Sequence, residues 1–190
     1  MKLPVSRTEA WELVQKHNQS RANLNHFLET EAVMRELANR LQADPEEWGI
    51  IGLLHDLDWE ETQSDPARHT LRTCEILAAK NFPEDVLFTI KSHNNEYLQG
   101  DFTPQSPRDY ALRCGETITG LIYAVTLVRP SQKVADVKVK SVKKKFKDKS
   151  FAANCRREII LECEKLGLTL DEFVEISLSA FKKIAAEVGL

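Results

Sequence analysis

The sequence predicts an all-α fold, a single helical bundle with a C-terminal helical extension. Three observations predict it. Apolar residues recur at three- and four-residue spacing along most of the chain. Helix-start signatures, Ser/Thr/Asp followed by Pro or Glu, stand before several of these runs. No segment alternates apolar and polar residues between hairpin turns. A chain of 190 residues with 42% hydrophobic and 29% charged residues can build one ordinary core. Seven Gly and seven Pro are too few for a linker-rich chain, and no internal repeat is present. The net charge of −3 argues against nucleic acid or an anionic membrane as partner. No apolar run approaches the roughly 20 residues of a membrane span. The stretch Met1-Lys2-Leu3-Pro4-Val5 lacks the apolar core of a signal peptide, so a cytoplasmic location is expected. Oligomeric state stays open, a homodimer included. Cys74, Cys114, Cys155 and Cys163 form no CxxC pair and read as reduced thiols.

The elements follow in order. Ser6-Arg7-Thr8-Glu9 is a capping box before Ala10, Leu13 and Val14. A helix from about Ala22 to Leu41 carries Phe27, Val33, Met34, Leu37 and Ala38 on its apolar side. Asp44-Pro45-Glu46-Glu47 opens the next, with Asp as N-cap, Pro at the first position and acids in the positive first turn. It holds Trp48, Ile51, Leu54 and His55. Asp65-Pro66 is read as opening a helix through Ile76 and Leu77, and Pro83-Glu84-Asp85 one through Val86, Ile90 and His93. Residues 59–64 and 98–107 read as loops. Ser106-Pro107-Arg108-Asp109 starts a long helix, Tyr110 to Leu127, stopped near Pro130. Lys133 to Lys149 is ambiguous between extended and helical. Cys155 to Leu166 reads as one helix closed by Gly167. Thr169-Leu170-Asp171-Glu172 caps a last helix with Phe173, Ile176, Ala180 and Ile184.

Of five histidines, four fall on four different predicted helices, each on the apolar side. His26 shares a face with Val33, His55 with Ile51, His69 with Ile76, and His93 with Ile90. One buried imidazole is commonly structural; four need partners, and a shared metal supplies one to each. Asp56 lies beside the run Ile50-Ile51-Gly52-Leu53-Leu54, and Glu116 lies among Leu112, Ile118, Leu121 and Ile122. A buried carboxylate calls for a cation, either a metal or an arginine. Carboxylate with imidazole suits Mn, Fe, Co, Ni, Zn or Mg, and the lack of cysteine argues against a structural zinc.

The ordered set His26, His55-Asp56, His69, His93 and Glu116 resembles the HD-domain superfamily of metal-dependent phosphohydrolases, in its bacterial HDIG-type branch. The stretches that carry it are Asn23-Leu24-Asn25-His26, Gly52 to Asp58, Asp65 to His69, Ile90 to Asn94 and Glu116 to Ile122. The resemblance is close from Leu24 to Pro130, and Lys143 to Arg157 is similar to that branch's extension. It implies a helical core over residues 1–130 and an extension over 131–190 packed on it as one unit. One metal would be held by His26, His55, Asp56 and Glu116, and a second by His69 and His93 with Asp56 bridging. The cofactor is thus one or two divalent ions. The superfamily normally ends the set with Asp; Glu116 is one methylene longer and either reaches the metal or acts through a water.

The reaction implied is phosphoester hydrolysis of a small phosphorylated metabolite, a nucleotide first, by metal-activated water. Asp58 is a candidate to orient that water, or else an N-cap or surface acid. Lys91, Arg156 and Arg157 are candidate phosphate contacts, or else solvated cations. The seven lysines between Lys138 and Lys149 read as a solvated face over Val139, Val142 and Phe146. The residue set also resembles the di-iron HD-type oxygenases of the myo-inositol oxygenase group. A third reading is a degenerate HD domain that binds a ligand and regulates a partner.

Overall fold

The computed structural model describes residues 2–190; Met1, the first residue of the stretch read against a signal peptide, lies outside the described residues. Ten α-helices run in the order α1 Arg7–His17, α2 Arg21–Arg40, α3 Pro45–Leu54, α4 Trp59–Thr62, α5 Leu71–Ala78, α6 Glu84–His93, α7 Pro107–Leu127, α8 Val139–Lys147, α9 Arg157–Ile160 and α10 Leu170–Val188. Short 3-10 turns occupy Val134–Asp136 and Leu161–Leu166, and no strand occurs among the described residues. Among the described residues no helix is long and apolar enough to cross a membrane.

The caps read from the sequence form as hydrogen bonds. Ser6 with Glu9, Ser106 with Asp109 and Thr169 with Glu172 each close a reciprocal box. Asp44 accepts from the backbone of Glu46 and Glu47. The start of α2 is closed from a distance: the Glu60 carboxylate of α4 accepts from the backbone N–H groups of Gln19 and Ser20 and from the Asn23 amide. This contact ties α4, and the turn before it, to the helix that carries His26.

α2 is the central strut, packed against α3, α7 and α10. Phe27, Val33, Met34, Leu37 and Ala38 are buried along it. Its approach to α3 is close enough that a Cβ on Gly52 would sit 2.9 Å from Met34 Cγ and 3.0 Å from the Thr30 carbonyl oxygen. One turn later α3 ends at His55, so glycine at 52 brings His55 to the side of His26.

The structure corrects the reading at three places. Residues 64–70 form turns, and α5 begins only at Leu71, so His69 lies in a turn and not on a helix. Thr70 holds φ at 73°, which a right-handed helix cannot contain. Fixed neighbours sustain that conformation: the Asn94 amide donates to the carbonyls of Pro66 and His69, at 2.8 and 3.0 Å. Second, residues 59–62 of the expected loop form α4. Third, Cys155 to Leu166 is not one helix; it is a turn, the four-residue α9, then a 3-10 turn closed by Gly167 at φ 72°. Arg157 is the cause. Its guanidinium donates to the carbonyls of Phe146, Asp148, Phe151, Ala152 and Cys155, wrapping residues 148–155 around itself. The ambiguous segment resolves as the 3-10 turn plus α8, with Val142 buried and the lysines outward.

Glu29 on α2 is 3% exposed, and its Oε1 has no hydrogen-bond partner. Burial pushes its carboxyl up to about 8, so the fold favours the protonated form. The stability it permits is complete below the ordinary carboxylate range and is lost as pH rises toward about 8. Glu29→Gln is therefore expected to remove a loss of about 1 kcal/mol per pH unit between about pH 5 and pH 8. Urea unfolding at both ends of that range reads it, and parallel curves for variant and parent would dismiss the assignment.

Candidate metal centre

The site is a carboxylate ringed by imidazoles. Asp56 stands in the turn after α3, His55 at the end of α3, His26 in α2, His69 in the turn before α5 and His93 at the end of α6. Nε2 of His55, His69 and His93 lies 3.3, 3.1 and 3.1 Å from Asp56 Oδ1. His26 Nε2 lies 3.8 Å from Oδ2. Nε2 of His69 and His93 are 3.2 Å apart. Atoms bound about 2.0–2.2 Å from one ion at tetrahedral angles are separated by roughly 3–3.5 Å. The spacings of His55, His69 and His93 from Asp56 fall in that range, and His26 stands just outside it.

The backs of the rings settle which nitrogen faces inward. His55 Nδ1 is 2.8 Å from the Gly52 carbonyl, which can only accept, so Nδ1 carries the proton and Nε2 presents a lone pair. That Nε2 is buried with no hydrogen-bond partner. The Thr119 hydroxyl donates to the Glu116 carbonyl and so accepts from His26 Nδ1 at 3.0 Å, which again turns the Nε2 lone pair inward. His69 Nδ1 donates to Asp58 Oδ1 at 2.8 Å. Lone pairs facing a carboxylate repel unless a cation lies among them. His26, His55 and Asp56 form one group whose donor atoms lie within 4.8 Å of one another; Asp56, His69 and His93 form a second. The residues therefore fit one or two divalent ions.

Electrostatics agree with this. Burial pushes His55 down to about 3, keeping it neutral as a ligand must be. Burial opposes charge on Asp56, but His55 and His69 outweigh it and hold the carboxyl well below its usual range. Burial also opposes charge on His69, yet Asp56 and Asp58 raise it to about 10. A proton there is the smallest cation that answers the same attraction.

The other predicted residues divide. Glu116 lines the same cavity but belongs to neither group of donors; its carboxylate accepts from the adjacent Thr117 hydroxyl, and burial, with repulsion from Asp56, pushes it up to about 8. Asp58 does not line the cavity. Its Oδ1 holds His69 and its Oδ2 accepts from the Thr73 N–H at 3.1 Å, so it stands behind a ligand and not beside a water. Lys91 lies outside the cavity lining, with Nζ 5.4 Å from the centre of the Phe102 ring. Arg157 is spent on the loop carbonyls. Arg156 does line the cavity, with Nε 2.8 Å from Glu158 and Nη1 3.7 Å from Glu96.

The cavity measures about 420 Å³, within the range of about 300–1,000 Å³ that holds one small ligand. Asn154, Cys155 and Arg156 form one wall. They fit against α7 because Gly120 has no side chain; a Cβ there would lie 2.8 Å from Cys155 Sγ. All four cysteines are free thiols, and Cys155 alone is not fully buried. Sequence reasoning passed over Trp59, Glu96, Tyr97, Thr119 and Asn154, which also line the cavity. Only Thr119 carried a signal, three residues past Glu116 on the same helical face.

Comparison with known proteins adds three findings. Residues 23–146 match the family described as HD domain. Ribonuclease Y of Mycoplasma genitalium is 28% identical over 79 residues, which is 42% of this chain and 16% of that protein. The chain thus spans about a sixth of this curated relative's length. No solved structure matches.

Proposed function

This chain belongs to the HD domain family, and on that premise we propose that it is a metal-dependent phosphohydrolase that cleaves a small phosphorylated metabolite, a nucleotide first. One observation carries the reading: four Nε2 atoms from four separate segments converge on the single carboxylate of Asp56. His26, His55 and Asp56 would hold one divalent ion, and Asp56, His69 and His93 a second. When bound, such ions activate water near neutral pH and neutralise charge on a phosphoryl group.

The chain's own residues supply the rest. Thr119, the Gly52 carbonyl and Asp58 fix the ring orientation of His26, His55 and His69. Arg156 provides a cation on the cavity wall for a phosphate oxygen. The test is elemental analysis of the untagged protein, then a phosphoester panel with Mn, Co, Ni and Mg. Hydrolysis that requires one of these ions supports the proposal. Iron with oxygen consumption and no hydrolysis would transfer it to the oxygenase class.

One observation favours a second reading. The Glu116 carboxylate is turned to Thr117, apart from both donor groups, as a regulator that binds a ligand without turnover would tolerate. Metal binding with no hydrolysis across the panel would select it.

Asp58 gives a separate expectation. Carboxylates behind a ligating histidine raise its basicity, and their loss typically costs about 10–100-fold in metal affinity. Asp58→Asn is expected to weaken one of two bound ions by that factor and leave the other, read by calorimetric titration with Mn. Equal weakening of both, or of neither, would contradict the role given to Asp58.

A further inference from the structure

Two large rings line the metal cavity and remain partly open to solvent. Tyr97 is 55% exposed and Trp59 is 36% exposed. Core packing explains neither exposure. Both are nevertheless held by rigid neighbours.

The backbone around Tyr97 is pinned residue by residue. The Asn94 amide donates to the carbonyls of Pro66 and His69. Asn95 Oδ1 accepts from the Phe102 N–H at 3.0 Å. Glu96 is ion-paired with buried Arg113, and Leu98 is itself buried. Within 94–98 the Tyr97 ring is the large apolar side chain left open to solvent on this loop.

Trp59 follows Asp58, whose carboxylate is fixed by His69 and Thr73. Its own N–H donates to the Asp56 carbonyl at 2.8 Å. The indole meets the His69 ring edge-on, centroids 5.1 Å apart at 76°. One side of the indole thus covers a candidate ligand, and the remainder faces the cavity. Asn154 and Arg156 line the same cavity and offer an amide and a cation.

Rigid, partly exposed rings bind planar groups at low ordering cost, because every heteroaromatic base has a π-face and the rings have little freedom to lose. We propose that Trp59 and Tyr97 form a base-binding subsite that selects a mononucleotide, with its nucleobase stacked on these rings and its phosphate directed to the metal centre. Only that last direction rests on the phosphohydrolase reading. The cavity volume accommodates one nucleotide.

The subsite is tested without metal or turnover. The 190-residue chain in chelator is titrated with adenosine, cytidine and ribose, followed by tryptophan fluorescence and by calorimetry. Both nucleosides are expected to bind saturably, and ribose is not. Tyr97→Ala is expected to weaken nucleoside binding about tenfold, and Tyr97→Phe to restore it to within about twofold. Tyr97 is exposed, so its replacement preserves folding; Trp59→Phe, which keeps an aromatic face, is a second probe expected to retain binding by calorimetry. Absence of nucleoside binding by calorimetry, or unchanged binding in Tyr97→Ala, overturns the subsite. With metal restored, the KM of a nucleoside monophosphate is expected to rise about tenfold in Tyr97→Ala, with no such rise for ribose 5-phosphate. Nucleoside binding without hydrolysis of any phosphoester leaves the subsite standing and removes the hydrolase reading. Hydrolysis of both substrates with equal KM does the reverse.

Discussion

Asp56→Asn is expected to lower divalent-metal affinity by more than about 100-fold and to abolish turnover with it. The carboxamide keeps the shape of the side chain but removes the charge toward which His26, His55, His69 and His93 point. It also places an N–H₂ donor beside the inward-facing Nε2 lone pairs of His26 and His55, which rewards the metal-free form. Because Asp56 belongs to both candidate donor groups, one substitution reaches both ions. Elemental analysis after dialysis against a fixed free-metal concentration reads the effect, with circular dichroism to establish that the helices persist. His55→Ala should show the same loss from the first group alone. Normal metal content in a folded Asp56→Asn protein would remove the metal centre, and the proposed function with it.

Arg113→Ala is expected to cost about 3–5 kcal/mol of stability. Arg113 is 3% exposed on α7. It forms ion pairs with Glu96 and Glu162 and donates to the Ser92 carbonyl at 2.7 Å. These acids hold its guanidinium above its ordinary value against burial. Removal leaves two part-buried carboxylates without their shared cation, beside the end of the helix that carries His93. The drop in melting temperature should be on the order of 10 °C for a chain of this size. Urea unfolding at neutral pH gives the free energy directly, and a change below about 1 kcal/mol would mean that water already screens the pairs.

Helix content was legible because its signals are local. Ser6, Asp44, Ser106 and Thr169 each act within four residues of themselves, and each cap formed where it was read. The site histidines were legible for a different reason: imidazoles at apolar positions need an explanation, and the order of the set supplied one. His69 shows the boundary of that reasoning. It reaches the centre although it is not on a helix, through a left-handed Thr70 held by Asn94, a residue 24 positions away in the chain. Arg157 shows it again. The sequence offers it as a phosphate contact or a solvated cation, and it is neither, because five carbonyls of a folded-back loop consume it. Trp59 and Tyr97 carry no periodic signal at all, since exposure at a cavity wall is set by the arrangement of other segments.

That folded-back loop has an evolutionary consequence. The five residues that converge as donors all come from the first half of the chain, whereas Asn154, Cys155 and Arg156 reach the cavity from the far side of α8. The cavity is therefore assembled from two stretches of the gene, one carrying the donors together with Trp59 and Tyr97, the other carrying residues 154–156. Replacements within 154–156 would reshape one wall of the cavity while Arg157 keeps the loop's path and the donor set is untouched.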